Sequence, residues 1–165
     1  MSKEEKEMIY PVDKTKIIIS DAGIKPVDIT SFEGEVFNST NYKIYILKHS
    51  DDYLYVGKTK QKIGTKFLQG FRSHNKDLNG ERQAGYGGYK WITPYKNTND
   101  ILQLYVFDLG NSCTDNYTEA IEAEIVFEIR KNSNQWPLWQ NEIHFFNKYP
   151  DASNEAKAIL DQTRD

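Results

Sequence analysis

The sequence predicts an α+β fold, an α/β sandwich in which a small, mainly antiparallel three-stranded sheet is flanked by helices. Three observations predict it. Two apolar runs, Lys43-Ile44-Tyr45-Ile46-Leu47 and Tyr53-Leu54-Tyr55-Val56-Gly57-Lys58-Thr59, flank the polar turn formers His49-Ser50-Asp51-Asp52, which reads as a β-hairpin with a loop of four or five residues. A third run, residues 101–107, is nearly continuously apolar, as expected of a strand buried on both faces. Two further stretches repeat their apolar residues at helical spacing. With 165 residues, 38% hydrophobic and 27% charged, the chain suits one domain with a modest core.

Taken in order, residues 1–12 read as frayed and Lys16-Ile17-Ile18-Ile19-Ser20 as a short β-like run. Residues 21–41 hold Pro26, Gly34 and many turn formers, which suits a lead-in of turns and a short helix covering an edge of the sheet. Residues 1–41 are therefore expected to be an extension packed on a domain of residues 42–147. After the hairpin, Ile63, Phe67, Leu68 and Phe71 follow one another at spacings of four, one and three, which predicts an amphipathic helix over residues 63–73. Residues 80–91 place four glycines and three aromatics in twelve positions, a loop whose backbone can approach another surface closely. Polar cap types at residues 115–118 open a second helix that runs to Lys131. Its apolar residues Ile121, Ile125, Val126, Phe127 and Ile129 cover more than half the circumference, so it is largely buried. Asp151 or Ser153 caps a closing helix within residues 148–165, outside the main domain.

The lone Cys113 excludes an internal disulfide and any multi-cysteine zinc site. No run reaches the roughly 18 apolar residues of a membrane span. The N-terminus, Met1-Ser2-Lys3-Glu4-Glu5-Lys6, is too charged for a signal peptide, so a cytoplasmic protein is expected. The formal net charge of −3 opposes strong non-specific nucleic-acid binding, but its distribution does not. Between residues 58 and 82, Lys58, Lys60, Lys62, Lys66, Arg72, Lys76 and Arg82 face only Asp77 and Glu81. That makes a basic face beside the tyrosine hairpin. In the glycine-rich loop, Arg82, Tyr86, Tyr89 and Lys90 are of the types that stack on or clamp a nucleic acid, with Lys58 and Lys60 close by in sequence. Trp91 reads as a core anchor of that loop.

On the second helix, Glu122 precedes Ile125, Val126 and Ile129 by three, four and seven positions and so shares their inward face. A carboxylate there is costly unless it is paired or binds a cation. Glu124 lies on a more mixed surface with Ile121, Phe127, Glu128 and Lys131.

Lys43-Ile44-Tyr45, Tyr55-Val56-Gly57, the Glu122-x-x-Ile125-Val126 spacing and Asn141 four residues after Pro137 together resemble the GIY-YIG nuclease superfamily over about residues 42–147. With Gly87-Gly88-Tyr89-Lys90-Trp91 and the Trp136-Pro137…Gln140…Glu142-Ile143-His144-Phe145 segment, the chain is similar to a bacterial and phage subgroup of such domains. Two departures stand out: Lys43 replaces the leading glycine, and Lys66, eleven residues after Tyr55, replaces an arginine. A lysine neutralises a phosphate but lacks the bidentate fork. Arg72 is the substitute on offer. His74 stands in for a histidine that the superfamily carries where this chain has Gly70, although its plainer reading is a surface loop histidine.

The resemblance implies hydrolysis of double-stranded DNA through a single Mg²⁺ or Mn²⁺. Glu122 would be its ligand, with Glu124 in reserve, and the metal would neutralise charge at the phosphate. It implies Tyr45 as base for a water and Tyr55 as its orienter. Asn141 would hold Glu122 or the hairpin backbone. A tyrosine has an ordinary pKa near 10, so Lys66, Arg72 and the metal would have to help it ionise. On this reading Tyr45, Tyr55 and Glu122 converge on one concave surface, Lys66 points into it, and Arg72 or His74 lies at its rim. Two other classes fit the composition: a catalytically weakened nucleic-acid-binding module, given Lys66 and the acidic balance, and a protein-interaction domain, given 11 tyrosines.

Overall fold

Five strands, two more than the three expected, form one antiparallel sheet in the order β2-β1-β5-β3-β4. The computed structural model describes residues 9–80, 89–140 and 149–164. Its strands are β1 (Val12–Ser20), β2 (Gly23–Pro26), β3 (Lys43–His49), β4 (Asp52–Thr59) and β5 (Leu102–Asp108); its helices are α1 (Ile63–Leu78), α2 (Asp115–Ser133) and α3 (Ala152–Asp161). The two added strands come from the segment before residue 42, expected to be an extension. Short runs such as Ile17-Ile18-Ile19 announce a strand but not its partner, and here β5 supplies the pairing.

The helices cover opposite faces. On one, Ile63, Phe67 and Phe71 of α1 pack on Tyr45, Leu47, Leu54, Tyr55 and Val106. On the other, Ile121, Ile125, Val126 and Ile129 of α2 and Ala156, Ile159 and Leu160 of α3 pack on Ile44, Ile46, Val56 and Phe107. The closing helix is thus part of the sandwich rather than outside it. Its start carries no side-chain cap from Asp151, and Ser153 lies inside the helix. Instead Tyr10 and Tyr117 both donate their hydroxyls to the Glu155 carboxylate, which ties α3 to α2 and to the chain before β1.

Helix α1 lacks a side-chain N-cap. An orphan amide of its first turn, that of Ile63, donates to the Phe37 carbonyl at 2.8 Å. Phe37 and Val36 are themselves held by the Asp13 carboxylate, which accepts from their backbone N–H groups at 3.0 and 2.7 Å. Phe32 adds edge contacts to Phe37 and Phe67. The expected extension therefore determines where α1 begins. Helix α2 is capped by Thr114, one residue before the polar types expected to open it: its side chain accepts from the Tyr117 amide, and Asn134 closes the helix in the left-handed region at φ 60°. Among the described residues no helix is long and apolar enough to cross a membrane.

Candidate functional site around the β3–β4 hairpin

The hairpin turns over two residues, Ser50 and Asp51, shorter than the expected loop, and its pairing contains one irregularity. Leu47 pairs with Tyr55 and Lys48 with Tyr53, so Leu54 is an extra residue on β4. This bulge breaks the two-residue alternation. Leu54 and Tyr55 both enter the core under α1, whereas Tyr53 packs on the α2 side. As a result Tyr45 and Tyr55 share a face on neighbouring strands, their ring centroids 5.9 Å apart and tilted by 40°.

Gly57 stands directly opposite Tyr45. The Tyr45 phenol lies across it: a Cβ built on Gly57 would be 2.6 Å from Tyr45 Cε1 and closer still to Cζ and the hydroxyl. The glycine of Tyr-Val-Gly is therefore the space the phenol occupies. Phe67 and Trp91 continue the aromatic layer. Tyr45 is 2% exposed and Tyr55 7%. Tyr45, Lys66, Gly70, Tyr89 and Trp91 help to line one recess of about 10 Å³, close to the room a single water needs. Lys66 and Tyr45 thus line the same recess, and Trp91 is the expected core anchor.

The other basic and aromatic candidates divide differently. Arg72 is exposed and stands about 120° around α1 from Lys66. His74 is not at a rim. It is 3% exposed, with Nε2 2.6 Å from Thr93 Oγ1 and its ring stacked on Phe71. Burial holds its pKa below the ordinary 6.5; Asn75 opposes this, Lys96 adds to it and Asp77 opposes it. The unfolded chain thus binds the proton more readily, and stability contributed by neutral His74 is complete above 6.5 and lost as pH falls through the folded-state value. Denaturant midpoints of the wild type should drop on acidification in that window, and His74→Gln should lessen the drop. Tyr89 is buried at 6%, and burial followed by the Asp77 charge keeps its phenol protonated to higher pH than usual. Lys90 and Lys60 are exposed, Lys60 over the Tyr42 ring at 4.8 Å. Arg82, Tyr86 and Asn141 lie outside the described residues.

Lys58 follows Gly57 and points to the other side of the sheet. Its ammonium lies 2.9 Å from Asp115 and 3.7 Å from Glu119 on α2. Burial alone would lower its pKa, but the Asp115 hydrogen bond and the charges of Glu119, Asp115 and Glu122 outweigh that and raise it. Lys58, expected as a phosphate contact, thus belongs to a salt-bridge cluster with α2. The same cluster locates Glu122, a half-buried carboxylate on α2 in the field of Lys58. Glu124, two positions on, is turned about 200° away from it around the helix.

The rings of Tyr45 and Tyr55 pack in the layer under α1, and Glu122 rises from α2, whose apolar residues pack on the other face of the sheet. Periodicity within each helix does not reveal that α1 and α2 follow the hairpin on opposite faces. Among the described residues no group of three or more His, Cys, Asp or Glu side chains could hold a metal. A single half-buried carboxylate still suits Mg²⁺, which commonly takes one or two carboxylates and completes its sphere with water and substrate phosphate.

Residues 138–140 cover the outer edge of β4. Leu138 and Trp139 donate backbone N–H groups to Tyr53 and Leu54 at 3.0 and 2.9 Å. Gln140 then uses its side chain: Oε1 accepts from Val56 N–H at 3.0 Å and Nε2 donates to Val56 O at 3.1 Å. This amide completes the edge between Tyr55 and Gly57. Sequence reasoning gives Gln140 no role, since nothing local marks a glutamine that pairs with a strand 84 positions earlier. Gln140→Ala should cost about 1–3 kcal/mol, the penalty for stripping partners from part-buried backbone groups. A lower denaturant midpoint and faster exchange of the Val56 amide would show it; an unchanged exchange rate would rule the clamp out.

No family model and no curated protein matches this chain. Among solved structures it is similar to a restriction endonuclease, HPY188I, in complex with product DNA, at 13% sequence identity and a TM-score of 0.43, over 86% of this chain and 98% of that one.

Proposed function

We propose that the protein is a metal-dependent DNA endonuclease whose site straddles the β4 edge at Gly57. The observation that carries this reading is the convergence of Tyr45 and Lys66 on a recess of single-water size, with Tyr55 beside Tyr45 and no side chain at Gly57 to wall them off. Tyr45, once its own phenolic proton has passed to solvent, takes the proton of the attacking water as a phenolate, and the ammonium of Lys66 on the same recess favours that anionic form. Tyr55, 5.9 Å from Tyr45 between ring centroids, orients the water or the phosphate. Glu122 would hold a Mg²⁺ or Mn²⁺ ion, which supplies charge neutralisation at the phosphate and the leaving oxygen. Asn141, next to the clamped Gln140 in sequence, is proposed to steady Glu122 or the hairpin. Double-stranded DNA as substrate and a cytoplasmic location belong to the same reading.

The burial of Tyr45 favours a second reading, a catalytically weak DNA-binding module on this fold. Plasmid nicking separates the two. Mg²⁺- or Mn²⁺-dependent nicking that is lost in Tyr45→Phe supports the nuclease, whereas DNA binding without nicking by the wild type supports the module.

A further inference from the structure

The outward face of α1 carries Thr65, Gln69, Arg72 and Lys76 at spacings of four, three and four, with Lys62 at its N-terminal end. All five are exposed. Among the described residues none of their side chains has a hydrogen-bond or ion-pair partner. Other lysines are committed: Lys58 to Asp115, Lys48 to the Thr163 carbonyl, Lys43 to the Ser39 and Asn41 carbonyls. Within the described residues the stripe thus holds three unpaired cations and no carboxylate, in a chain whose formal net charge is −3. Between the cations stand Gln69 and Thr65, hydrogen-bonding side chains without charge, and Leu68 beside them is 49% exposed.

We propose that this face of α1 docks in the major groove of duplex DNA, with Gln69, Arg72 and Thr65 reading base edges and Lys62 and Lys76 contacting phosphates at either end. The side-chain types suit base readout, since arginine pairs with guanine, glutamine with adenine, threonine with either, and an apolar group such as Leu68 with the thymine methyl. The dimensions match as well. A helix with its side chains is about 10–12 Å across and the major groove about 12 Å wide. From Thr65 to Lys76 the stripe runs about 16 Å at 1.5 Å per residue. Lys66, next to Thr65, turns from this face toward the Tyr45 recess, so a duplex seated here runs past the proposed site. The inference deepens the nuclease reading by naming its substrate as B-form duplex, read by sequence, and rests on that reading only for the link to cleavage.

Binding is measured in EDTA, by fluorescence anisotropy with duplex DNA and by selection from a randomised duplex pool. Lys62→Ala/Lys76→Ala should weaken binding uniformly and lower the slope of log K against log salt by about 1.8, two phosphate contacts' worth. Arg72→Ala and Gln69→Ala should each lose about 5- to 150-fold on the sequence the wild type selects, and select relaxed sequences themselves. The substitutions are on solvated positions, and unchanged melting temperatures confirm folding. Three results would each overturn the proposal: an unchanged salt slope, variants that select the wild-type sequence, or tighter binding to duplex RNA, whose deep, narrow major groove excludes a helix. Nicking in Mg²⁺ by a protein whose face variants bind normally removes this inference and leaves the nuclease reading. Face-dependent binding without nicking does the reverse.

Discussion

Glu122→Gln is expected to lower metal-dependent cleavage by about 1,000-fold or more while leaving DNA affinity in EDTA unchanged. The carboxamide keeps the volume of the side chain and removes only its charge, which is what a divalent ion needs from it. Neutralising a phosphoryl transition state with a metal is worth several kcal/mol, and roughly 1.4 kcal/mol is tenfold in rate. The fold should tolerate the change. Lys58 lies within salt-bridge distance of both Asp115 and Glu119, so no buried cation is stranded. Cleavage of the wild type should vanish in EDTA and return with Mg²⁺ or Mn²⁺. A fully active Glu122→Gln protein, or cleavage that persists in EDTA, would remove Glu122 from this role.

Gly57→Ala should be the most damaging single methyl group in the hairpin. The new Cβ would overlap the Tyr45 phenol, 2.6 Å from Cε1, and that ring is confined by Tyr55 and Phe67. Overpacking of a filled core costs about 1–3 kcal/mol, which for a chain of this size lowers the melting temperature by about 2–12 °C. Nicking should fall with it, because the phenol is displaced from the recess it shares with Lys66. Tyr45→Phe would not relieve the overlap, since the ring carbons take part in it. Tyr45→Ala removes the obstacle, so Gly57→Ala should cost much less in that background, a coupling a double-mutant cycle measures. Equal costs in both backgrounds would show that the phenol is not what excludes a side chain at position 57.

Much of the local structure is legible in the sequence because it depends on neighbours along the chain. The two hairpin strands, the third at residues 101–107 and both long helices follow from spacing and cap chemistry. Each of the misplacements involves a partner distant in sequence. Spacing alone puts His74 in a loop, but α1 continues to Leu78 and buries it against Thr93. Nor does local charge reveal that α2 brings Asp115 and Glu119 to Lys58.

Periods of 2 and 3.6 record which side of each element is buried, so the order of residues was enough to mark most strands and helices and to set two tyrosines on adjacent strands. What each buried side meets came only from the folded chain. Folding joined β1 and β2 to the sheet through β5, and it split Tyr53 from Tyr55 by one extra residue at Leu54. It set α1 and α2 on opposite faces of the sheet, and it matched the Gln140 amide to Val56. Local periodicity sets an element's buried face, whereas register, bulges and the face each helix covers are chosen by contacts between segments far apart in the chain.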